Sequence, residues 1–207
     1  MRSTIVTAVL VLVMAGCQQD RGKPKPPSPQ PQQAAGDALG VLQKLVNDQN
    51  YKAMGFDSAD EVKQAQLAQP LTVYNIGLEQ LKGYKTGANP DSLLTKNSET
   101  IYPVTVNGQV KSSVSVVQKS GGYEPSSFGN AAIVKSLAGY RQSESDFVVR
   151  VPAFNMYFLG RRVENRLLLI PIVEDPRLKV RAGEPVPAET VLEQLVPIAN
   201  SYNGLPM

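Results

Sequence analysis

The sequence predicts an α+β fold: a single domain over residues 34–207 with a mostly antiparallel sheet packed by helices, following a disordered tether. Three observations carry this. Asn107-Gly108 sits between two β-rich runs, the signature of a two-residue hairpin turn in which both positions adopt positive φ. Stretches with apolar residues three and four apart flank the strand-like runs instead of alternating with each of them. Hydrophobic residues make up 42% and charged residues 19%, enough apolar surface for a core and too little charge for wholesale disorder. The predicted order is two helices, three strands, a helix, two strands and a helix.

The elements follow in sequence. Leu39, Leu42, Leu45 and Val46 predict a helix over Ala38–Lys52, with Asp37 as N-cap and Gly55 as its stop. Ser58-Ala59-Asp60-Glu61 is a capping-box pattern opening a second, short helix to Ala68, and capping accounts for these carboxylates better than a metal site. Pro70 closes that helix, and Leu71–Leu78 reads as a strand. Asn89-Pro90-Asp91 marks a turn leading into one helical turn at Ser92–Thr95. Strands are expected at Ile101–Val106 and Gln109–Lys119. In the second, Val110, Ser112, Val114 and Val116 alternate with Lys111, Ser113, Ser115 and Val117, as in a sheet covered on one face.

Gly121-Gly122 breaks the pattern and opens a loop, with Tyr123 and Phe128 tucked against the domain. Ala131–Tyr140 is a helix with Ile133, Val134 and Leu137 inward. Phe147–Val151 is a strand, and so is Leu167–Val173, where Pro171 demands an edge or a bulge because it lacks a ladder donor. Glu174-Asp175-Pro176-Arg177 is a turn. Pro187 opens a last helix that turns Val191, Leu192, Leu195 and Val196 to the core.

The amino terminus carries a different message. Arg2 gives a positive start. The apolar run Thr4–Met14 is too short to span a hydrocarbon core of roughly 30 Å, as expected of the h-region of an export signal. Met14-Ala15-Gly16-Cys17 then resembles the lipobox of bacterial lipoproteins. That resemblance covers residues 1–17 and departs from the commonest pattern in having Met14 where Leu is usual. It implies a signal peptide over residues 1–16, cleavage before Cys17, and a lipid anchor on the Cys17 thiol. Gln18 rather than Asp follows the cysteine. In a Gram-negative cell this favours the periplasmic face of the outer membrane. Residues 17–33 form the lipidated cysteine and its tether. Rich in Pro and Gln, with five prolines between Pro24 and Pro31, the segment has no large apolar side chain to bury, and polyproline geometry gives it a reach of up to roughly 50 Å.

Several chemistries are excluded or left without support. There is no His, and the single Cys is Cys17, so neither a Ser-His or Cys-His catalytic pair nor a Cys/His metal cluster can be drawn. Nucleotide-binding glycine patterns are absent, and no metal or cofactor is expected. The pI near 8.9 arises at the ends of the chain. Without Arg2, Arg21, Lys23, Lys25 and Asp20, 17 residues of each sign remain, which removes the case for nucleic acid as a partner. Glu79, Glu99, Glu124 and Glu164 would support carboxylate catalysis only if two of them converged. Between Arg150 and Arg181 basic residues outnumber acidic ones. Arg161, Arg162 and Arg166 are the candidate site for an anionic partner, since the guanidinium fork suits carboxylate and phosphate.

The expected protein is therefore a membrane-anchored lipoprotein of the bacterial envelope, a non-catalytic binding or assembly module. Its partners are the membrane, through lipid on Cys17, and an envelope protein or anionic envelope polymer. The alternatives are a carboxylate-dependent envelope enzyme and a purely structural surface protein. Replacing Cys17 by Ser is expected to abolish labelling by radioactive fatty acid and leave the precursor unprocessed; retained labelling would refute the anchor.

Overall fold

The computed structural model describes residues 27–204; Cys17, the lipobox and the tether up to Pro26 lie outside the described residues. In chain order the elements are α1 (Pro31–Leu45), a 3-10 turn (Glu61–Gln64), β1 (Gln66–Leu67), β2 (Leu71–Asn75), α2 (Leu78–Lys82), a 3-10 turn (Pro90–Leu93), β3 (Thr95–Val106), β4 (Gln109–Lys119) and β5 (Gly122–Phe128). There follow α3 (Ala131–Tyr140), β6 (Phe147–Val151), a 3-10 turn (Pro152–Phe154), β7 (Met156–Val163), β8 (Arg166–Pro171), β9 (Val186–Pro187) and α4 (Ala188–Ser201). The fold is α+β, with one nine-stranded sheet in the order β5-β4-β3-β2-β6-β7-β8-β9, β1 pairing beside β2 on β3. Every pair is antiparallel except β2 with β6.

Two meanders build this sheet. In the first, β3 and β4 turn at Asn107 and Gly108, whose φ values of 50° and 77° suit the two-residue hairpin. In the second, β7 and β8 turn at Glu164 and Asn165, also at positive φ. Phe147 lies over Gly160, its register partner. A Cβ there would sit 2.5 Å from the ring, so only glycine allows the ring to lie flat on β7. Pro171 falls beyond the short β9 ladder, where β8 is itself the edge.

Helices cover both faces, which corrects the expectation of a one-sided sheet. α1 packs Ala34, Ala35, Ala38 and Leu42 on Tyr102, Val104, Val114 and Val116. At the other end of the same face, α2 and α4 bury Leu81, Val191, Leu192 and Leu195 on Val149, Phe158, Leu167 and Leu169. α3 takes the opposite face, setting Val134 and Leu137 against Leu71, Val73, Ile101, Val148, Leu159 and Ile170. Each fully buried side chain of this size contributes about 1.5–3 kcal/mol. The simple alternation read in β4 fails at a bulge. Thr105 pairs with Val110 while Val104 pairs with Ser112, so Lys111 is the extra residue and Val110 joins the α3 side.

Other departures have local causes. The first helix starts at Pro31, inside the predicted tether, because Ala34, Ala35 and Ala38 form a small apolar stripe that lets α1 approach the sheet closely. Its N-cap is Gln30, while Asp37 accepts a hydrogen bond from the Ser28 hydroxyl at 3.1 Å. Ser28 also exchanges backbone hydrogen bonds with Tyr123, N–O 2.9 and 2.8 Å, so packed structure extends ahead of residue 34. The Ser58–Glu61 pattern does cap: the Glu61 amide donates to Ser58 Oγ, and the Glu61 carboxylate accepts from the Asp57 amide. It caps only a 3-10 turn, since Gln66 and Leu67 pair with β3. Where a loop was expected, Gly122–Phe128 is an edge strand; Met156–Val163 is a full strand; and α2 follows β2 at once.

A chain beginning at Ala34 is expected to be less stable than one beginning at Pro27 by about 1–3 kcal/mol, the loss of Ser28's hydrogen bonds and the first helical turn. Urea unfolding of the two chains measures this; equal midpoints would show that the segment before Ala34 does not pack.

Candidate functional site

The three predicted arginines do not form one cluster. Arg161 and Arg162 lie within β7, not at its reversal, so the two-residue period of a strand sends them to opposite faces. Arg161 turns to the α3 side. Its Nε and Nη2 fork onto Asp146 at 3.0 and 2.7 Å, Nη1 donates to Gln142 Oε1 at 2.7 Å, and Nη2 donates to the Tyr140 carbonyl at 2.9 Å. The guanidinium is spent on fastening the C-terminal end of α3 to the sheet. Arg162 points to the other side, lies over the Phe147 ring and donates to Asp91 Oδ1 at 2.6 Å. Arg166, exposed at the start of β8, shares the face of Arg161.

The Asp146–Arg161 pair is buried, with side-chain exposures of 0% and 12%. Burial pushes the Asp146 carboxyl up. The Arg161 guanidinium and the amides of Gln142 and Ser143 outweigh that and hold it below the ordinary carboxylate range. Its stabilising effect is thus complete above the unfolded-state value and lost as the pH falls through the lowered one.

The four candidate carboxylates are also dispersed. Glu79 pairs with Lys82 on α2, and Glu164 occupies the β7–β8 turn. Glu99 and Glu124 do share a row, since Val117 is the register partner of both, placing them two strands or roughly 10 Å apart. Each is held by a cation, Glu99 by Arg150 and Glu124 by Lys119. A separate cluster sits at the β4 bulge. Buried Lys111 bonds Asp57 at 2.6 Å and Glu61 at 3.0 Å, which raises its pKa and lowers that of Asp57. It clamps the 57–61 turn to the sheet. No group of three metal-binding side chains occurs among the described residues, and no described helix is long and apolar enough to cross a membrane.

The candidate site lies on the α3 face, where the helix stops short of covering the sheet. Strand period and register bring Asn75, Glu99, Ser115, Val117, Ser127, Arg150 and Tyr157 to this surface. Asn75 and Arg150 are paired across the β2–β6 ladder. Arg150 Nη1 donates to Glu99 Oε2, and its guanidinium stands 5.3 Å from the centre of the Tyr157 ring. Arg150 Nε and Asn75 Oδ1 are buried with no hydrogen-bond partner among the described residues; the remaining orphan of this kind is Ser112 Oγ on the α1 side. Buried polar atoms are nearly always paired, with protein or with ordered water.

Two hollows flank the Glu99–Arg150 pair. A narrow crevice of about 10 Å³ runs under α3 between Ser113, Ser115, Asn130, Arg150 and Tyr157. An open depression of about 310 Å³ lies beside it over Asn97, Glu99, Val117, Ser126 and Ser127. The Glu99–Arg150 pair stands between them, one partner lining each. Sequence reasoning named Glu99 as a carboxylate and Arg150 as part of a basic stretch. Their pairing was invisible because it depends on β2 lying between β3 and β6.

No protein-family model matches the chain, and the searches of curated proteins and of solved structures give no significant match.

Replacing Asp146 by Ala is expected to cost about 3–5 kcal/mol, because Arg161 is left charged and buried. Asp146→Asn should flatten the acid limb of the stability–pH curve relative to the wild type. Thermal melts from neutral to acid pH test both, and an unchanged acid limb would show that this pair does not set it.

Proposed function

We propose that the chain is a lipid-anchored, non-catalytic binding protein of the bacterial cell envelope, and that the uncovered end of the α3 face is its binding surface. The single observation carrying the binding part is the arrangement at Arg150. A largely buried guanidinium is fixed by Glu99 and Tyr157 and lines the narrow crevice under α3, while its partner Glu99 lines the open depression. Such a group is preorganised, so little conformational freedom is lost when a partner docks. The resemblance of Met14-Ala15-Gly16-Cys17 to a lipobox supports the anchor. The membrane is one partner, through lipid on Cys17, and an envelope protein or polymer is the other. Carboxylate catalysis has less support, because Glu99 and Glu124 are each engaged by a cation. Docking of an anionic partner at Arg162 and Arg166 rests on exposed charge alone.

A photocrosslinking amino acid at Val117, within the depression, tests this in intact cells of the source bacterium. It is expected to trap an envelope component, while the same residue at exposed Glu193 on α4 traps none. Absence of any adduct specific to Val117 would overturn the binding reading.

A further inference from the structure

We propose that the shoulder of α1 beside the β5 edge lies against the lipid bilayer, with Val41 and Leu45 seated at the boundary between headgroups and acyl chains. The sheet then stands with β5 toward the membrane and α4 away from it. This rests on the reading that Cys17 carries a lipid anchor, and adds to it a second contact and an orientation.

The exposed apolar side chains come first. Among the described residues the large hydrophobics left exposed are Val41, Leu45, Val163 and Val173. Val163, at the end of β7, and Val173, beyond β8, stand singly, as surface apolar residues ordinarily do. Val41 and Leu45 are four apart on α1, so they stand side by side, 43% and 44% exposed. They continue the row that begins at Asp37, whose carboxylate accepts from the Ser28 hydroxyl. Ser28 in turn is bonded to Tyr123 on the outer strand of the sheet. The opposite shoulder of α1 faces along the sheet, where Gln43 donates to the Val62 carbonyl. The pair therefore overhangs the β5 edge, on the side where the chain enters.

Reach comes second. Pro27 lies ten positions after Cys17, a span of at most roughly 35 Å even if drawn straight. Leu45 lies eight positions beyond Asp37, about 12 Å along the helix. Both apolar side chains are thus within reach of a bilayer that holds Cys17. At about 4.8 Å per strand, β8 lies roughly 29 Å from β5 across the sheet, so the same placement holds Val163 and Val173 off. Two apolar side chains would not keep a free protein on a membrane. Anchoring makes the contact intramolecular, at an effective concentration set by the length of chain between, and a weak contact then suffices to select an orientation.

Charge comes third. From Cys17 to Lys52 the basic residues Arg21, Lys23, Lys25, Lys44 and Lys52 outnumber the acidic ones by two, whereas the chain from residue 34 onward is balanced. Lys44 is exposed on α1 directly before Leu45. Basic side chains beside an inserted apolar pair match anionic headgroups, as in helices that lie in a membrane interface. An isologous contact between two copies through the same row would instead bring both Lys44 side chains into one small interface, which disfavours it.

The experiment uses the full-length lipidated protein in vesicles of phosphatidylcholine and phosphatidylglycerol. With Cys17 capped by lipid, Val41→Cys, Leu45→Cys, Val163→Cys and Val173→Cys each accept a single environment-sensitive fluorophore. Lipids brominated on the acyl chain near the headgroup are expected to quench the labels at 41 and 45 several-fold more than those at 163 and 173. Leu45→Glu, a change at an exposed position, should cut the quenching of a label at 41 without lowering the melting temperature or releasing the protein from vesicles. Equal quenching at all four positions, or none at 41 and 45 while the protein floats with the vesicles, would overturn the inference and leave the anchor standing. Labels at 41 and 45 that quench one another as surface density rises, untouched by brominated lipid, would overturn it in favour of a second copy. Wild-type protein that floats no better than the Cys17→Ser variant would overturn the anchor itself, and the inference with it.

Discussion

Three consecutive residue pairs join the halves of this protein: Val73 with Val148, Tyr74 with Val149 and Asn75 with Arg150, in the one parallel contact of the sheet. On one side lies the β3–β4–β5 meander, on the other β6–β7–β8. Without this contact, each meander would expose a long unpaired edge, and an edge of that kind recruits other chains. Once β2 and β6 pair, the sheet is wide enough to need helices at both ends of one face. The middle of the other face becomes a continuous apolar strip that α3 covers. The last step of the same ladder sets Asn75 beside Arg150, so the contact that completes the sheet also assembles the candidate site.

Charge pairs then fix what the apolar core leaves free. Arg161 with Asp146 fastens the end of α3, Lys111 with Asp57 and Glu61 fastens the 57–61 turn at the bulge, and Arg162 with Asp91 ties the turn before β3 to β7. Each joins segments far apart in sequence. Arg141 acts in the same way with hydrogen bonds alone, donating to the carbonyls of Gln69, Pro70, Ser143 and Glu144. Against this background Arg150 differs, because its Nε is buried without a partner among the described residues.

How much of this the sequence discloses depends on whether the signal is local. Asn107-Gly108, the strand Gln109–Lys119, the helix Ala131–Tyr140 and the strand Phe147–Val151 all lie where periodicity and turn chemistry place them. The edge strand β5 was hidden because Gly-Tyr-Glu-Pro-Ser-Ser-Phe is poor in β-branched residues, and only pairing with β4 orders it. The strand β7 was hidden by Gly160 and by Arg161 and Arg162, each of which has a tertiary reason to be there. The start of α1 was missed because alanine registers weakly as apolar although Ala34, Ala35 and Ala38 are almost wholly buried. Of the candidate site, local pattern marks Glu99 as a carboxylate, Arg150 as part of a basic stretch and Ser115 only as a strand residue. Their meeting follows from the sheet order, which no local pattern encodes.

The pairing of Ser28 with Tyr123 has a mechanical consequence. It places the point where the chain enters the domain on the outer strand of the sheet, and α1 then runs across β4 and β5. If the preceding residues hold the protein to a surface, tension on them reaches two antiparallel hydrogen bonds first and the alanine-lined seat of α1 second. The far end of the sheet, under α4, lies outside that line of force. Resistance to pulling is then governed by how fast one edge strand peels rather than by overall stability. The open α3 face, two strands further in, keeps its shape while the edge takes the strain.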